Sequence, residues 1–169
     1  SVIGDRVICN ELFSDECTIE KIVAQDNSLK KMSANGRVQN IANNVTNAIM
    51  VLSSQPKPNF YLLDKLILIA ELNACKINIF INKCDLDHAS LKDSLNYYEL
   101  LGYPVTIVSA KNDINKDDLL SILKGESSLL MGQSGVGKST LINWLLQEET
   151  IKTNMLSQKN QRGRHTTTA

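Results

Sequence analysis

The sequence predicts an α/β protein, with a doubly wound parallel sheet over residues 40–169 and a partial β-barrel over residues 1–39. Three observations carry that reading. Apolar runs of strand length alternate with segments of helical period from residue 45 onward. A glycine-rich turn at 132–139 joins a short apolar run to an apolar-faced helical segment. Short β-type runs, separated by Gly, Asn, Asp and Ser, fill residues 1–39 and suit a small barrel.

Each element has its own signal. The N-terminal β-type runs are Val2-Ile3, Arg6-Val7-Ile8-Cys9, Cys17-Thr18-Ile19 and Lys21-Ile22-Val23-Ala24. Ala48–Leu52 is an apolar strand, and Pro56 and Pro58 mark the turn after it. Phe60–Leu72 carries apolar residues at helical spacing with a wide apolar face. Lys76–Ile81 is suited to a buried parallel strand. A helix over about Ala89–Leu101 is closed by Gly102, and a strand over 104–108 follows. A short helix near Lys116–Leu123, a strand over 127–131 and a helix from Ser139 complete the pattern.

Composition narrows the class. Lys+Arg and Asp+Glu balance at 18 each, so no global field draws the chain onto nucleic acid. No apolar run approaches the roughly 20 residues a membrane span needs, and no signal peptide is visible at Ser1. Cys9, Cys17, Cys75 and Cys84 have no zinc-ligand spacing, which predicts reduced cysteines in a cytoplasmic protein. Cys84 is read as a packing residue.

The turn Gly132-Gln133-Ser134-Gly135-Val136-Gly137-Lys138-Ser139 fits G-x-x-x-x-G-K-[ST] without a mismatch. Its glycines let the backbone approach a phosphate, and the exposed N–H groups and helix start offer positive charge, with Thr140 continuing the cradle. Lys138 would reach the β- and γ-phosphates, and the Ser139 hydroxyl would ligate Mg²⁺. The competing view, a glycine-rich strand-to-helix turn with a chance Lys-Ser, is the weaker reading of a complete motif in this context.

A phosphate loop does not choose the base. Asn82-Lys83-Cys84-Asp85 stands at the carboxyl end of a predicted strand, where open α/β sheets bind ligands. There the Asp85 carboxylate can accept two hydrogen bonds, from the ring N–H and the exocyclic amine of guanine, a donor pair adenine lacks. Lys83 would pack its stem against the base, and Asn82 would brace the loops. Alone, four residues of this pattern also fit a charged turn. Ser109-Ala110-Lys111 recurs one βα unit later, where a backbone amide would face the guanine carbonyl. An ordinary GTPase carries the phosphate loop before these base-reading motifs. Here the order is rotated.

With those motifs in that order, the chain resembles the circularly permuted ribosome-assembly GTPases of the RsgA (YjeQ, EngC) family. Gly4-Asp5-Arg6-Val7 is similar to the turn of that family's N-terminal OB-fold, Ile41–Val45 to its junction, and Gly163-Arg164-His165-Thr166-Thr167-Thr168 to its switch I. Members of the family are longer. The resemblance implies a DxxG motif and a zinc-binding C-terminal module, both of which would lie beyond Ala169, so no zinc ligand is expected within this sequence. It further implies ribosome-stimulated GTP hydrolysis during late maturation of the small ribosomal subunit. GTP and GDP are then substrate and product, and the subunit with its rRNA is the partner of a monomeric protein. By position in the family pattern Thr167 would contact Mg²⁺ and the γ-phosphate, with Thr166 and Thr168 as alternatives. His165 would position water or stabilise transition-state charge.

Lys152, Lys159, Arg162, Arg164 and His165 lie in a stretch without acidic residues, which reads either as a solvated loop or as a basic arm that meets ribosomal RNA or orders around a γ-phosphate. Basic residues offered to RNA by the first segment are Arg6, Lys21, Lys30, Lys31 and Arg37. Two other function classes stay open on the sequence. One is nucleotide binding without turnover. The other is a P-loop kinase or ATPase, which leaves Asn82, Lys83 and Asp85 without a purpose.

Overall fold

The computed structural model describes residues 2–11, 17–32, 35–86 and 91–146. Its centre is a four-stranded parallel sheet in the order β7-β6-β5-β8. The strands are β5 (Asn47–Leu52), β6 (Lys76–Ile81), β7 (Val105–Ile107) and β8 (Ser128–Met131). Every residue of β5 is buried, because β6 and β8 flank it and helices cover both faces. A strand so enclosed needs a continuous apolar run rather than alternation, and Ala48-Ile49-Met50-Val51-Leu52 supplies it.

Three helices have both ends described: α1 (Phe60–Leu72), α2 (Lys92–Leu100) and α3 (Lys116–Leu123). A fourth, α4, is described over 138–146. The α1 start is fixed by Asn59, whose Oδ1 accepts from Leu62 N at 2.9 Å. Leu63, Ile67 and Ala70 stand one turn apart and are its buried face. Burying Leu63 and Ile67 contributes about 1.5–3 kcal/mol each. Gly102, at φ 92, turns the chain after α2, and its N–H bonds Glu99 O at 2.9 Å.

The two sheet faces have separate cores. Ala48, Met50, Leu52, Ile77, Ile79 and Ile81 pack with α1 and α2. Ile49, Val51 and Phe80 pack on the other side with Leu119 of α3 and with Val136, Leu141 and Trp144 of the phosphate-loop unit. The alternation of side chains along each strand thus builds a three-layer α/β/α domain.

Ahead of the sheet stand two antiparallel hairpins, β1 (Val7–Glu11) with β2 (Cys17–Ile22) and β3 (Ser28–Met32) with β4 (Val38–Asn43). Among the described residues they form two separate two-stranded sheets, not a closed barrel. Val2-Ile3 is not a strand, and the two runs expected at 17–19 and 21–24 merge into one strand that ends at Ile22, with a bulge opposite Ile8/Cys9 and Val23-Ala24 outside it. The β3–β4 hairpin is new to the sequence reading, and the division expected near residue 40 falls inside β4. Leu29 and Ala42 from this hairpin are buried in the same core as α1. The helix expected at 89–101 begins, among the described residues, at Lys92, and the strand expected at 104–108 shortens to Val105–Ile107. No helix among the described residues is long and apolar enough to cross a membrane.

Asparagines join hairpins to sheet at the end away from the loops that leave β6, β7 and β8. Asn44, in the left-handed region at φ 54, donates to Gly4 O at 2.8 Å and accepts from Asp26 N at 2.8 Å. Buried Asn43 donates to Asp5 Oδ1 at 2.7 Å, and Asn27 both donates to and accepts from the Val45 backbone. A Cβ on Gly4 would stand 1.9 Å from Asn43 O, so only glycine fits there.

Candidate functional site

The carboxyl ends of β6, β7 and β8 point to one side of the sheet, and the loops leaving them meet there. The loop after β8 holds Gly132 at φ 145, Gly135 at φ 81 and Gly137 at φ 94, conformations that side chains resist. Space forbids a side chain at two of them. A Cβ at Gly132 would lie 2.3 Å from Val51 O, and one at Gly137 would lie 2.3 Å from Asn82 Nδ2. Val136 is buried in the sheet's second core and anchors the loop, while Ser134 and Gly135 are exposed. Lys138 starts α4 and folds its ammonium over the loop, donating to Gly132 O at 2.9 Å and Gln133 O at 2.8 Å. Ser139 and Thr140 come next in the first turn and are exposed.

The loop after β6 is tied to this one. Asn82 is buried and its Nδ2 donates to Val136 O at 2.9 Å. Lys83, at φ 60, donates from Nζ to Gly135 O at 2.7 Å and to Gln55 O at 2.9 Å. The β5–α1 loop thereby joins the site, and Asn59 N donates to the Gln133 side chain at 3.2 Å. Asp85 is exposed, and one of its oxygens, Oδ1, accepts from Ser109 Oγ at 3.0 Å. That bond orients the carboxylate toward open space beside Ala110 and Lys111. Cys84 is half-buried beside it, and burial, then the neighbouring Asp85 charge, push its thiol pKa up.

Two cavities result. One of about 370 Å³ is lined by Asn82, Lys83, Asp85, Ser109, Ala110 and Lys111. The other, of about 380 Å³, is lined by Ser134, Gly135, Lys138 and Ser139. Lys83, Gly137 and Thr140 line both, so the two spaces adjoin each other. One carries a carboxylate suited to paired N–H donors, the other a lysine and backbone groups suited to an anion.

Every sequence-derived site residue from Asn82 to Thr140 lies in this one cluster. His165 and Thr167 lie outside the described residues. The sequence reading missed Gln55 and Asn59, although Pro56 and Pro58 had marked their turn.

Comparison with known proteins agrees with this geometry. The family model described as RsgA GTPase matches residues 22–169. A small ribosomal subunit biogenesis GTPase RsgA of Neisseria meningitidis is 38% identical over 166 residues, which cover 98% of this chain and 53% of that protein. The protein of that name from Ruminiclostridium cellulolyticum is 35% identical, over 97% of this chain and 52% of its own length. The chain therefore spans about half the length of the curated relatives it matches. Among solved structures, YjeQ of Thermotoga maritima superposes with a TM-score of 0.69 at 32% identity, covering 86% of this chain and 51% of that one. YloQ, a circularly permuted GTPase, superposes at 0.61 with 28% identity, covering 85% and 49%. With this sheet, this rotated motif order and these relatives, the chain belongs to the RsgA GTPase family.

Proposed function

We propose that this chain is the nucleotide-binding part of a GTPase that acts in late maturation of the small ribosomal subunit, with turnover stimulated by the ribosome. The observation that carries the reading is the pair of adjoining cavities, one lined by Asp85 and the other by the Lys138 loop. Asp85 accepts from the guanine ring N–H and exocyclic amine while Ser109 holds its orientation. The Ala110–Lys111 backbone meets the base carbonyl, and the Lys83 stem covers the base. Asn82 fixes the distance between base loop and phosphate loop through Val136.

On the phosphate side, backbone N–H groups of 133–138 and the start of α4 take the anion, as helix starts do. Lys138 exchanges its two carbonyl partners for the β- and γ-oxygens. The donor set fits Mg²⁺: Ser139 presents a hard hydroxyl oxygen in the same cavity, and this ion combines few protein ligands with phosphate oxygens and water. When bound, it neutralises charge on the β- and γ-phosphates. Thr167 is proposed as a second ligand, and His165 as the group that orients the attacking water. Residues 1–39 are proposed as an RNA-facing partial OB-fold, 40–169 as the GTPase domain, and the whole protein as a cytoplasmic monomer.

The test is GTP turnover by the full-length protein, with and without purified small subunits. Subunits should raise the rate, and Lys138→Ala should abolish triphosphate binding or hydrolysis in both settings. Equal turnover with and without subunits contradicts the ribosomal reading. Normal binding of GTP and GDP by Lys138→Ala in calorimetry contradicts the phosphate assignment.

A further inference from the structure

We propose that Asp113 and Trp144 form a clamp that holds the guanine-reading loop on the phosphate-loop helix, making base selectivity depend on two residues outside both cavities. The proposal rests on the nucleotide reading above and assigns both as positioning residues.

The loop after β7 is closed on itself. Ser109 N bonds Ile114 O at 3.3 Å, Ile114 N bonds Ser109 O at 3.0 Å, and Asn112 N donates to Ser109 Oγ at 3.3 Å. Asp113 and Asn115 adopt φ 56 and 58, a left-handed turn that asparagine and aspartate tolerate better than most residues. Asn115 Nδ2 fastens the turn to Ile107 O at 2.7 Å. Ser109 and Asp113 are thus parts of one small rigid unit, and Ser109 orients Asp85.

Its second anchor is α4. The Trp144 indole is 8% exposed and packs with Val108, Leu119, Val136 and Leu141. Its Nε1–H donates to Asp113 Oδ1 at 2.7 Å, the partner a buried indole N–H requires. Lys116 Nζ stands 5.2 Å from the indole ring and 4.0 Å from Asp113 Oδ1, adding positive charge to both. Trp144 sits on the helix that carries Lys138 and Ser139, and Leu141 N bonds Gly137 O at 2.9 Å. A continuous path therefore runs from Asp85 through Ser109, Asp113 and Trp144 to the phosphate-binding turn. Without it, the Ser109 unit pivots about β7 and Asp85 loses its fixed aim.

The experiment is calorimetric titration of the full-length protein with GDP and with inosine diphosphate, which lacks the exocyclic amine. Asp113→Gly removes the acceptor at no left-handed cost, Asp113→Asn keeps an Oδ1 acceptor, and Trp144→Phe keeps most of the ring but loses the N–H. Asp113→Gly and Trp144→Phe should each reduce the preference for GDP over inosine diphosphate about tenfold, with Asp113→Asn within about twofold of wild type. A merely structural role would lower the melting temperature and leave that ratio unchanged. An unchanged ratio in both Asp113→Gly and Trp144→Phe overturns the clamp alone. A wild-type protein that binds GDP no better than ADP overturns the nucleotide reading and the clamp with it.

Discussion

Strands β5 and β2 are both six residues long, yet every residue of β5 is buried and every residue of β2 is exposed. The difference lies in neighbours. Strand β5 has a parallel partner on each side and a helix layer on each face, whereas β2 has only β1 among the described strands. Ile8, Ile19 and Ile22 of that hairpin stay 48%, 50% and 44% exposed. An isolated two-stranded hairpin is marginal in water. This one depends on the stitching of Gly4 and Asp5 to Asn43 and Asn44, at the end of β4 and the turn beyond it. The sheet, by contrast, is packed by a core on each face. The loops that gather the two cavities leave three strands of the same packed sheet.

Breaking the sheet should therefore have the largest effect. Phe80→Ala removes a fully buried ring from the second core and should cost about 3–5 kcal/mol in urea denaturation. Nucleotide binding should fall with it, because Asn82 stands two residues further on.

The junction comes next. Asn44→Ala loses the bonds to Gly4 O and Asp26 N and leaves alanine at φ 54, which together should cost about 1–3 kcal/mol. Hydrogen exchange should speed up in both hairpins while GDP affinity stays at the wild-type value. Loss of affinity would mean the two regions are coupled more tightly than their geometry implies.

A smaller, pH-dependent effect arises from Glu126. The Lys76 ammonium, then the Thr46 hydroxyl, hold its carboxyl below the usual value. A depressed carboxylate stabilises the fold fully above its unfolded value near 4.5, and the contribution vanishes as pH falls through the lower folded value. Between about pH 5 and pH 3 the melting temperature of Glu126→Gln should therefore fall less than that of wild type. Parallel curves would remove Glu126 from the junction's stability.

The same contrast governs what was legible in the sequence. Helices α1 and α3 and strand β6 match the sequence reading residue for residue, since their periods are set by burial against one sheet. Strands β3 and β4 were not legible. Ser28-Leu29-Lys30-Lys31-Met32 and Val38-Gln39-Asn40-Ile41-Ala42-Asn43 do not alternate apolar and polar residues cleanly, and it is pairing and the burial of Leu29 and Ala42 that make them strands. In the site, contiguous motifs were legible because phosphate and base chemistry constrain neighbouring residues. Contacts between distant residues were not: Lys83 meets Gln55 across 28 positions, and Trp144 meets Asp113 across 31. No local pattern encodes either.

If the packed sheet aims Asp85 at guanine, titration calorimetry of wild type and Asp85→Asn with GDP and xanthosine diphosphate will read it out. Xanthine presents a carbonyl where guanine has its amine, so an asparagine amide can donate where the carboxylate accepted. Asp85→Asn should then bind GDP about 10- to 100-fold more weakly and prefer xanthosine diphosphate. Equal affinity of wild type and Asp85→Asn for GDP, with no gain for xanthosine diphosphate, would contradict it.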